Sequence, residues 1–302
     1  MDVLVTGGAG YIGSDLVEKL NASERVKKIY VLDNLSRSPL SFFIGCQKLE
    51  KVTFIQGDIL DSYVLSKVLK KVEMVFHLAG YVSFPYSYAQ NVQYEQINQW
   101  GTLNIVRCIQ QMDHIKRFVY LSSASVYGLR GQVDLRDNPN PTNAYGKSKL
   151  EGEKFVNLLE NQCQVSIVRS ANVFGFNPSF RMDSVLNNFI FHALVDKKII
   201  IYGNGTQKRP FVSLQKVVEE LLLTLSTQEH IRKGFAVEFN ADLNEIKNWL
   251  IQRHLPDLEY TYLNPSIEYE EQSIKGLNSL EEELSQLDEV FMDFRTNLRV
   301  QK

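Results

Sequence analysis

Along roughly the first 175 positions, short apolar runs alternate with longer stretches whose apolar residues recur every three or four positions. The runs Asp2 to Thr6, Lys28 to Leu32, Val52 to Gln56, Glu73 to Leu78, Arg117 to Ser122 and Val165 to Arg169 read as buried strands, rich in β-branched and aromatic residues. The stretches between them predict helices running to about Leu20, from Tyr63 to Lys71, from Tyr94 to Met112 and from Tyr145 to Glu160. Such alternation implies right-handed strand–helix–strand units, a parallel sheet and ligands at the carboxyl ends of its strands. Beyond about residue 175 the pattern loosens. Asn177-Pro178, Gly203-Asn204-Gly205 and Arg209-Pro210 mark turns, and one regular segment, Phe211 to Ser226, looks able to return to the first unit. The expected fold is α/β, a doubly wound parallel sheet over 1–175 with 211–235 returning to it. A smaller C-terminal lobe then comprises 176–210 and 236–302.

Two constellations carry chemistry. The first strand runs into Gly7-Gly8-Ala9-Gly10-Tyr11-Ile12-Gly13 and then a helix, the context of a dinucleotide turn. Gly7 and Gly10 let the backbone approach a pyrophosphate, Gly13 lets the helix pack on the strand, and the helix N-terminus offers unpaired N–H groups. The sheet is therefore expected to be Rossmann-like. Asp33 ends the second strand about 20 residues past Gly13, the spacing of a carboxylate that holds the adenosine ribose. It repels a 2′-phosphate and so favours NAD over NADP, although Arg37 keeps NADP open. The second constellation is Tyr145 and Lys149, an i, i+4 pair at the start of a helix, with Ser123 upstream as a hydroxyl partner. The lysine charge is expected to lower the phenol pKa from about 10 and make the oxygen a general base.

Composition narrows the class. The chain has 302 residues, 44% hydrophobic and 23% charged, with a formal charge of −2, so it lacks a basic field for nucleic acid. Cys46, Cys108 and Cys163 are odd in number and widely spaced, which suits reduced core thiols. His114, His192, His230 and His254 have no companions at metal-ligand spacing, and no metal is expected. The chain starts in a strand without a leader-like apolar segment and has no run able to span a bilayer, so a cytoplasmic enzyme without a membrane partner is expected.

The ordered set of motifs resembles the extended short-chain dehydrogenase/reductase family of nucleotide-sugar epimerases and dehydratases, over roughly residues 1 to 215. Thr6 to Gly13 resemble its glycine loop, Tyr11 and Ile12 included, and Asp33-Asn34 its ribose site. Gly57-Asp58-Ile59 resembles the adenine-contacting turn, and His77-Leu78-Ala79-Gly80 the turn bordering the cofactor; no chemistry is assigned to His77. Asn98 is similar to the active-site asparagine of the central helix. Ser123, Tyr145 and Lys149 match the catalytic triad, with Ser123 rather than Ser122 at the family position four residues before Tyr127. Asn172, in Arg169 to Gly175, and Arg209 match positions that contact a sugar-nucleotide diphosphate.

The resemblance implies that Tyr145 takes a hydroxyl proton as hydride leaves the same carbon, Ser123 binds that oxygen and Lys149 holds the cofactor ribose. Family dehydratases usually carry threonine followed by Asp-Glu at the serine position; here Ser123 is followed by Ala124-Ser125, which disfavours dehydration. The substrate half departs further: Arg209-Pro210-Phe211 replaces Arg-Asp-Phe, Lys216 replaces an aspartate, and His254 to Phe294 contains no arginine. Glu268, Glu270, Glu271 and Glu281 to Glu283 make that segment acidic. The expected activity is NAD-dependent epimerisation of a nucleotide sugar, with a 4-reductase or dehydrogenase, or a non-catalytic NAD-binding regulator, as alternatives. A homodimer is expected through the helices Tyr94 to Met112 and Tyr145 to Glu160, with Ile97, Ile105, Ile109, Phe155 and Leu159 as contacts.

Overall fold

The computed structural model describes residues 1–37, 40–43, 49–82, 91–129, 131–227, 231–267 and 269–298; Cys46, His230 and Glu268 lie outside them. Strand β1 (Asp2–Thr6) leads through the glycine turn into helix α1 (Tyr11–Ala22), then β2 (Lys28–Asp33), β3 (Val52–Gln56), α2 (Ser62–Leu69) and β4 (Met74–His77). A short helix α3 (Asn91–Gln93) runs on into a π-helical stretch, Tyr94–Gly101, and then α4 (Thr102–Ile109). The sequence pattern shows one helix here. The wider π turns are invisible to it because they shift the side-chain period only locally, a distortion that tends to occur at functional sites. Next come β5 (Arg117–Ser123), β6 (Gly131–Val133), α5 (Ala144–Asn157) and β7 (Gln164–Ser170).

The large sheet is parallel at every pairing, in the order β11-β7-β5-β4-β1-β2-β3, where β11 is Ile231–Ala236. From β1 the chain winds outward through β2 to β3, then crosses back to β4 on the other side. The order reverses between β1 and β4, and a crevice opens there at the carboxyl ends. Both faces are covered. Val3, Val5, Leu16, Val17 and Leu20 pack on one side, and Leu4, Leu65, Val68, Ile105, Phe118 and Val156 on the other. Burial on both faces explains why these strands read as continuous apolar runs.

The second lobe holds β8 (Asn172–Phe174), α6 (Val185–Val195), β9 (Lys198–Tyr202) and β10 (Arg209–Ser213), with helix α7 (Leu214–Leu223) following. After β11 come β12 (Phe239–Ala241), α8 (Leu243–Arg253), β13 (Glu259–Leu263), β14 (Gln272–Ile274), β15 (Asn278–Ser279) and α9 (Leu284–Asn297). Its four-stranded sheet runs β15-β12-β10-β8 around an aromatic core that includes Phe174, Phe189, Phe211, Phe239, Trp249, Phe291 and Phe294. The segment expected to return to the large sheet divides. Strand β10 stays with β8, whereas α7 packs Leu214, Val217, Val218 and Leu221 into the first core and β11 extends the large sheet. The acidic run Glu281 to Glu283 occupies the single turn before α9, where Ser279 and Glu282 form a reciprocal cap. Carboxylates are favoured at a helix start, so this run has a local electrostatic reason. Among the described residues no helix is long and apolar enough to cross a membrane.

At Gly13 an added Cβ would lie 2.2 Å from the Gly7 carbonyl oxygen and 2.7 Å from Gly8 Cα. The obstacle is backbone and cannot swing away. Gly13→Ala is expected to push α1 off β1 and to cost about 1–3 kcal/mol, the range for overpacking, measured by urea unfolding.

Candidate active site

The crevice between β1 and β4 is built by close backbone approach. Gly7 has φ +69°, and a Cβ there would sit 2.6 Å from the Ala79 nitrogen, so glycine alone lets the two turns meet. Helix α1 begins without a side-chain cap and without an acidic residue in its first turn. Its N–H groups therefore remain for an anion such as a pyrophosphate. At the far wall Asp33 Oδ2 accepts from Ala9 N at 3.1 Å and Oδ1 from Leu35 N at 2.9 Å. The carboxylate thus ties the glycine turn to the end of β2, and burial holds its pKa above the ordinary value. Asn34 Nδ2 donates to Asp58 Oδ2 at 2.9 Å, joining the two turns named from the sequence. Ile59 is buried against Gly101, and the Tyr11 hydroxyl donates to the Gly175 carbonyl at 2.7 Å, so both side chains hold structure together. Ile12 and Leu78 pack on the first core. Arg37 donates to the Val82 carbonyl and pairs with Asp183 at 3.5 Å.

Ser123, Tyr145 and Lys149 converge at the carboxyl end of β5. The asparagine cap that starts α5, Asn143 Oδ1 to Gly146 N at 2.7 Å, fixes where the helix begins and hence which residues face the sheet. The hydroxyl of Ser123 bonds the Tyr145 phenol and also reaches Ser125 Oγ at 3.2 Å, whereas Ser122 turns the other way to Glu153 at 2.5 Å. The source of the phenol's electrostatics differs from the sequence expectation. Burial holds Tyr145 above its ordinary pKa; the positive charges of Arg181 and Arg37 and the Ser123 bond pull it down, and Asp183 pushes it up. Lys149 instead points its ammonium over the Tyr120 ring, 4.3 Å from the centroid. Burial pulls its own pKa down to about 7, against the carboxylate of Glu153.

Asn98 is buried rather than exposed, and its amide is committed to structure. Oδ1 accepts from Tyr81 N at 2.7 Å, while Nδ2 donates to Tyr81 O at 2.9 Å and Ser148 Oγ at 2.9 Å. It holds the turn that brings Gly80 between Asn98 and Lys149. Beside it His77 is fully buried, with Nδ1 at 2.7 Å from Thr6 Oγ1 and Nε2 at 2.9 Å from Thr102 Oγ1. This imidazole pins the last residue of β1 to the first of α4. Burial, with the Lys149 charge added, depresses its pKa to about 3, so it stays neutral.

On the substrate side Asn172 is exposed at the start of β8 and donates to the Pro210 carbonyl at 2.9 Å. Arg209, half-buried, donates to the Lys208 carbonyl at 2.8 Å. The chain 175–184 links the lobes through Ser14 to Asn177 at 3.3 Å, Ser41 to Ser179 at 2.6 Å, and Arg37 to Asp183, which Arg181 also holds through two bonds of 2.8 Å. Sequence reasoning passed over Arg181, Asp183, Arg169 and Glu153. A signal existed for Glu153, which continues the i, i+4 series of Tyr145 and Lys149, and for Arg169, a charge inside a run that otherwise reads as buried strand. Among the described residues no His, Cys, Asp or Glu cluster could hold a metal ion.

Known proteins resemble this chain over most of its length. The model of the NAD dependent epimerase/dehydratase family matches residues 3–238. The dTDP-D-glucose 4,6-dehydratase of Mus musculus is 32% identical over 239 residues, 75% of this chain and 65% of that protein's length. A putative UDP-glucose 4-epimerase of Methanocaldococcus jannaschii is 33% identical over 236 residues, 76% of this chain and 75% of its own. The solved structure of UDP-glucuronic acid 4-epimerase from Bacillus cereus superposes with a TM-score of 0.85 at 24% identity, covering 99% of this chain and all of that one; it establishes the likeness of fold.

The neutral His77 has a measurable consequence. An unfolded imidazole takes up a proton below about 6.5; the folded one does so only near 3. Stability contributed by His77 is therefore present above the unfolded value and is lost as pH falls through that window, at about 1.4 kcal/mol per pH unit for one proton. Urea unfolding of the wild type and His77→Gln between these limits should show a shallower loss of stability with falling pH in the variant, the difference being the contribution of His77.

Proposed function

The chain belongs to the NAD-dependent epimerase/dehydratase family, and from that premise we propose that it epimerises a nucleotide-diphosphate sugar, most simply at C4, through a transient 4-keto sugar. The observation that carries the choice of outcome is the state of the acids around Tyr145. Elimination of water needs a general base for the C–H proton and a separate general acid for the leaving hydroxyl, and where an Asp-Glu pair would supply them Ser123 is followed by Ala124 and Ser125. Asp183, the carboxylate that acts on Tyr145, is already engaged by Arg181, and Glu153 of the same helix by Arg169. Proton exchange at one hydroxyl needs only the phenol.

NAD fits the crevice because Gly7 and Gly13 leave no room for a Cβ and the α1 N-terminus is uncapped. Gly7, Gly10 and Gly13 with the start of α1 would hold its pyrophosphate, Asp33 and Asn34 the adenosine ribose, Asp58 and the turn at Ile59 the adenine side, and Leu78 to Gly80 the wall between the rings. Bound there, NAD supplies reversible uptake of hydride. The chain does the rest. Tyr145 accepts the hydroxyl proton of the sugar and returns it, Ser123 bonds the same oxygen, and Lys149 holds the nicotinamide ribose. Arg181 and Arg37 offset the cost of forming a buried phenolate, the part first expected of Lys149. Arg209 suits a diphosphate because its planar fork pairs two oxygens, and Asn172 stands at the start of the neighbouring strand β8.

We also propose a homodimer, on a different apolar set from the one expected. Ile105, Ile109 and Leu159 are fully buried in the subunit's own core and cannot meet a partner; Ile97 and Phe155 pack partly on that core. Trp100 and Leu158, 61% and 56% exposed on the same helices, are the groups whose burial would favour association. Sedimentation should give a dimer at micromolar concentration that Trp100→Glu converts to monomer. A cytoplasmic location is in keeping with Cys108 and Cys163, which are unpaired and buried.

The activity is tested by assaying purified protein on a panel of nucleotide sugars, with product stereochemistry read by NMR. Retained NAD and turnover without added reduced cofactor are expected of an epimerase, and dependence on added reduced cofactor of a reductase. Tyr145→Phe keeps ring and packing but deletes the ionisable oxygen. It should leave NAD binding intact and lower kcat by roughly 100-fold or more, the scale of a general acid–base group. Near-wild-type turnover in that variant would remove Tyr145 from the chemistry.

A further inference from the structure

An ion pair that the proposed chemistry does not use lies behind the Tyr145 and Lys149 face. Glu153, one turn past Lys149 on α5, is 4% exposed. Arg169 of β7 reaches it twice, Nε to Oε1 at 2.9 Å and Nη2 to Oε2 at 2.6 Å, and Ser122 of β5 donates to Oε1 at 2.5 Å. Arg169 Nη1 donates to the Tyr127 hydroxyl at 2.6 Å, which in turn donates to the Leu135 carbonyl at 2.7 Å. One carboxylate thereby joins the helix carrying Tyr145 and Lys149 to the strand that ends at Ser123 and, through Arg169 and Tyr127, to the turn that follows it. A buried ion pair is a poor way to gain stability, because desolvation offsets the attraction. What it does supply is direction: a bidentate guanidinium–carboxylate pair has one geometry.

The groups facing Lys149 come from four directions. His77 approaches from β4, the Tyr120 ring from β5, Glu153 from α5 itself, and Gly80, backed by Asn98 of the π-helical stretch, from the turn after β4. His77 is neutral, Tyr120 presents a ring face, and Gly80 and Asn98 carry no charge. Glu153 is the carboxylate among them, and Arg169 is the guanidinium paired with it.

We propose that Glu153 is a positioning residue for the reaction: anchored by Arg169 and Ser122, it sets α5 against Ser123 and places a negative charge one helical turn from Lys149. The proposal rests on the roles given above to Tyr145 and Lys149. Without that carboxylate Lys149 gives up its proton at lower pH, and the ammonium that holds the ribose disappears over a range in which the wild type retains it.

The test uses the full chain labelled with ¹³C-lysine, with the Lys149 signal identified by its loss in Lys149→Met. Lys149 is titrated without cofactor, and kcat/KM is followed against pH with NAD added. Glu153→Gln removes the charge but leaves a buried guanidinium unpaired and can unfold the protein. Glu153→Gln/Arg169→Met removes both charges together, a replacement that buried pairs commonly tolerate. In the double variant the Lys149 midpoint should fall by about one pH unit or more, the size of effect expected of a nearby charge. The alkaline limb of kcat/KM should move down with it, and Glu153→Asp should restore part of both shifts. A folded double variant whose midpoint and alkaline limb match the wild type overturns the proposal. If Tyr145→Phe keeps full turnover, the reading of the triad falls and takes this one with it; if Tyr145→Phe is inactive while Lys149 is unmoved, the role of Glu153 alone is wrong.

Discussion

The crevice depends on one steric constraint, the contact of Gly7 with the backbone of Ala79. Two strand ends, β1 and β4, are brought so near that a single Cβ would fall 2.6 Å from a main-chain nitrogen. Because both turns are held there, α1 starts beside the first and Gly80 lies beside Lys149 beyond the second. His77 and Asn98 maintain the approach from within: one binds Thr6 to Thr102, the other binds Tyr81 to Ser148. Neither needs to touch a ligand to matter. Each buried polar atom that finds its partner specifies one arrangement, and each that lost it would pay the full desolvation cost.

Charge in the site is distributed differently from what residue spacing suggests. An i, i+4 lysine is the obvious cation for a tyrosine on one helix, yet burial weakens Lys149 itself and the second lobe supplies Arg181, with Arg37 from the loop after β2. Asp183 holds both arginines, so the segment between β8 and α6 links the electrostatics of the phenol to the seating of one lobe on the other. The Glu153 carboxylate, one turn further along α5, opposes the effect of burial on Lys149. The protonation of two adjacent groups is thus set by residues from four separate stretches of chain.

The strands, the helices and the glycine turn are legible in the sequence because each depends on neighbours a few positions away: alternating burial, helical period, and a φ that glycine tolerates. The order Gly7 to Gly13, Asp33, Ser123, Tyr145 and Lys149 belongs to the same class, since local elements carry those residues to the strand ends once a parallel sheet is assumed. The acidic run at Glu281 to Glu283, opaque as composition, also has a local cause in the cap formed by Ser279 and Glu282.

What only the tertiary structure decided involves partners far apart in the chain. Arg169 meets Glu153 across 16 positions, and Ser41 meets Ser179 across 138. The apolar face of a helix reads the same whether it meets its own sheet or a second subunit, so Ile105, Ile109 and Leu159 proved to be core while Trp100 and Leu158 remain outside. A pKa follows the same logic. Residue type sets where titration starts, but burial and the summed field of distant charges set where it ends, and neither quantity exists until the chain has folded.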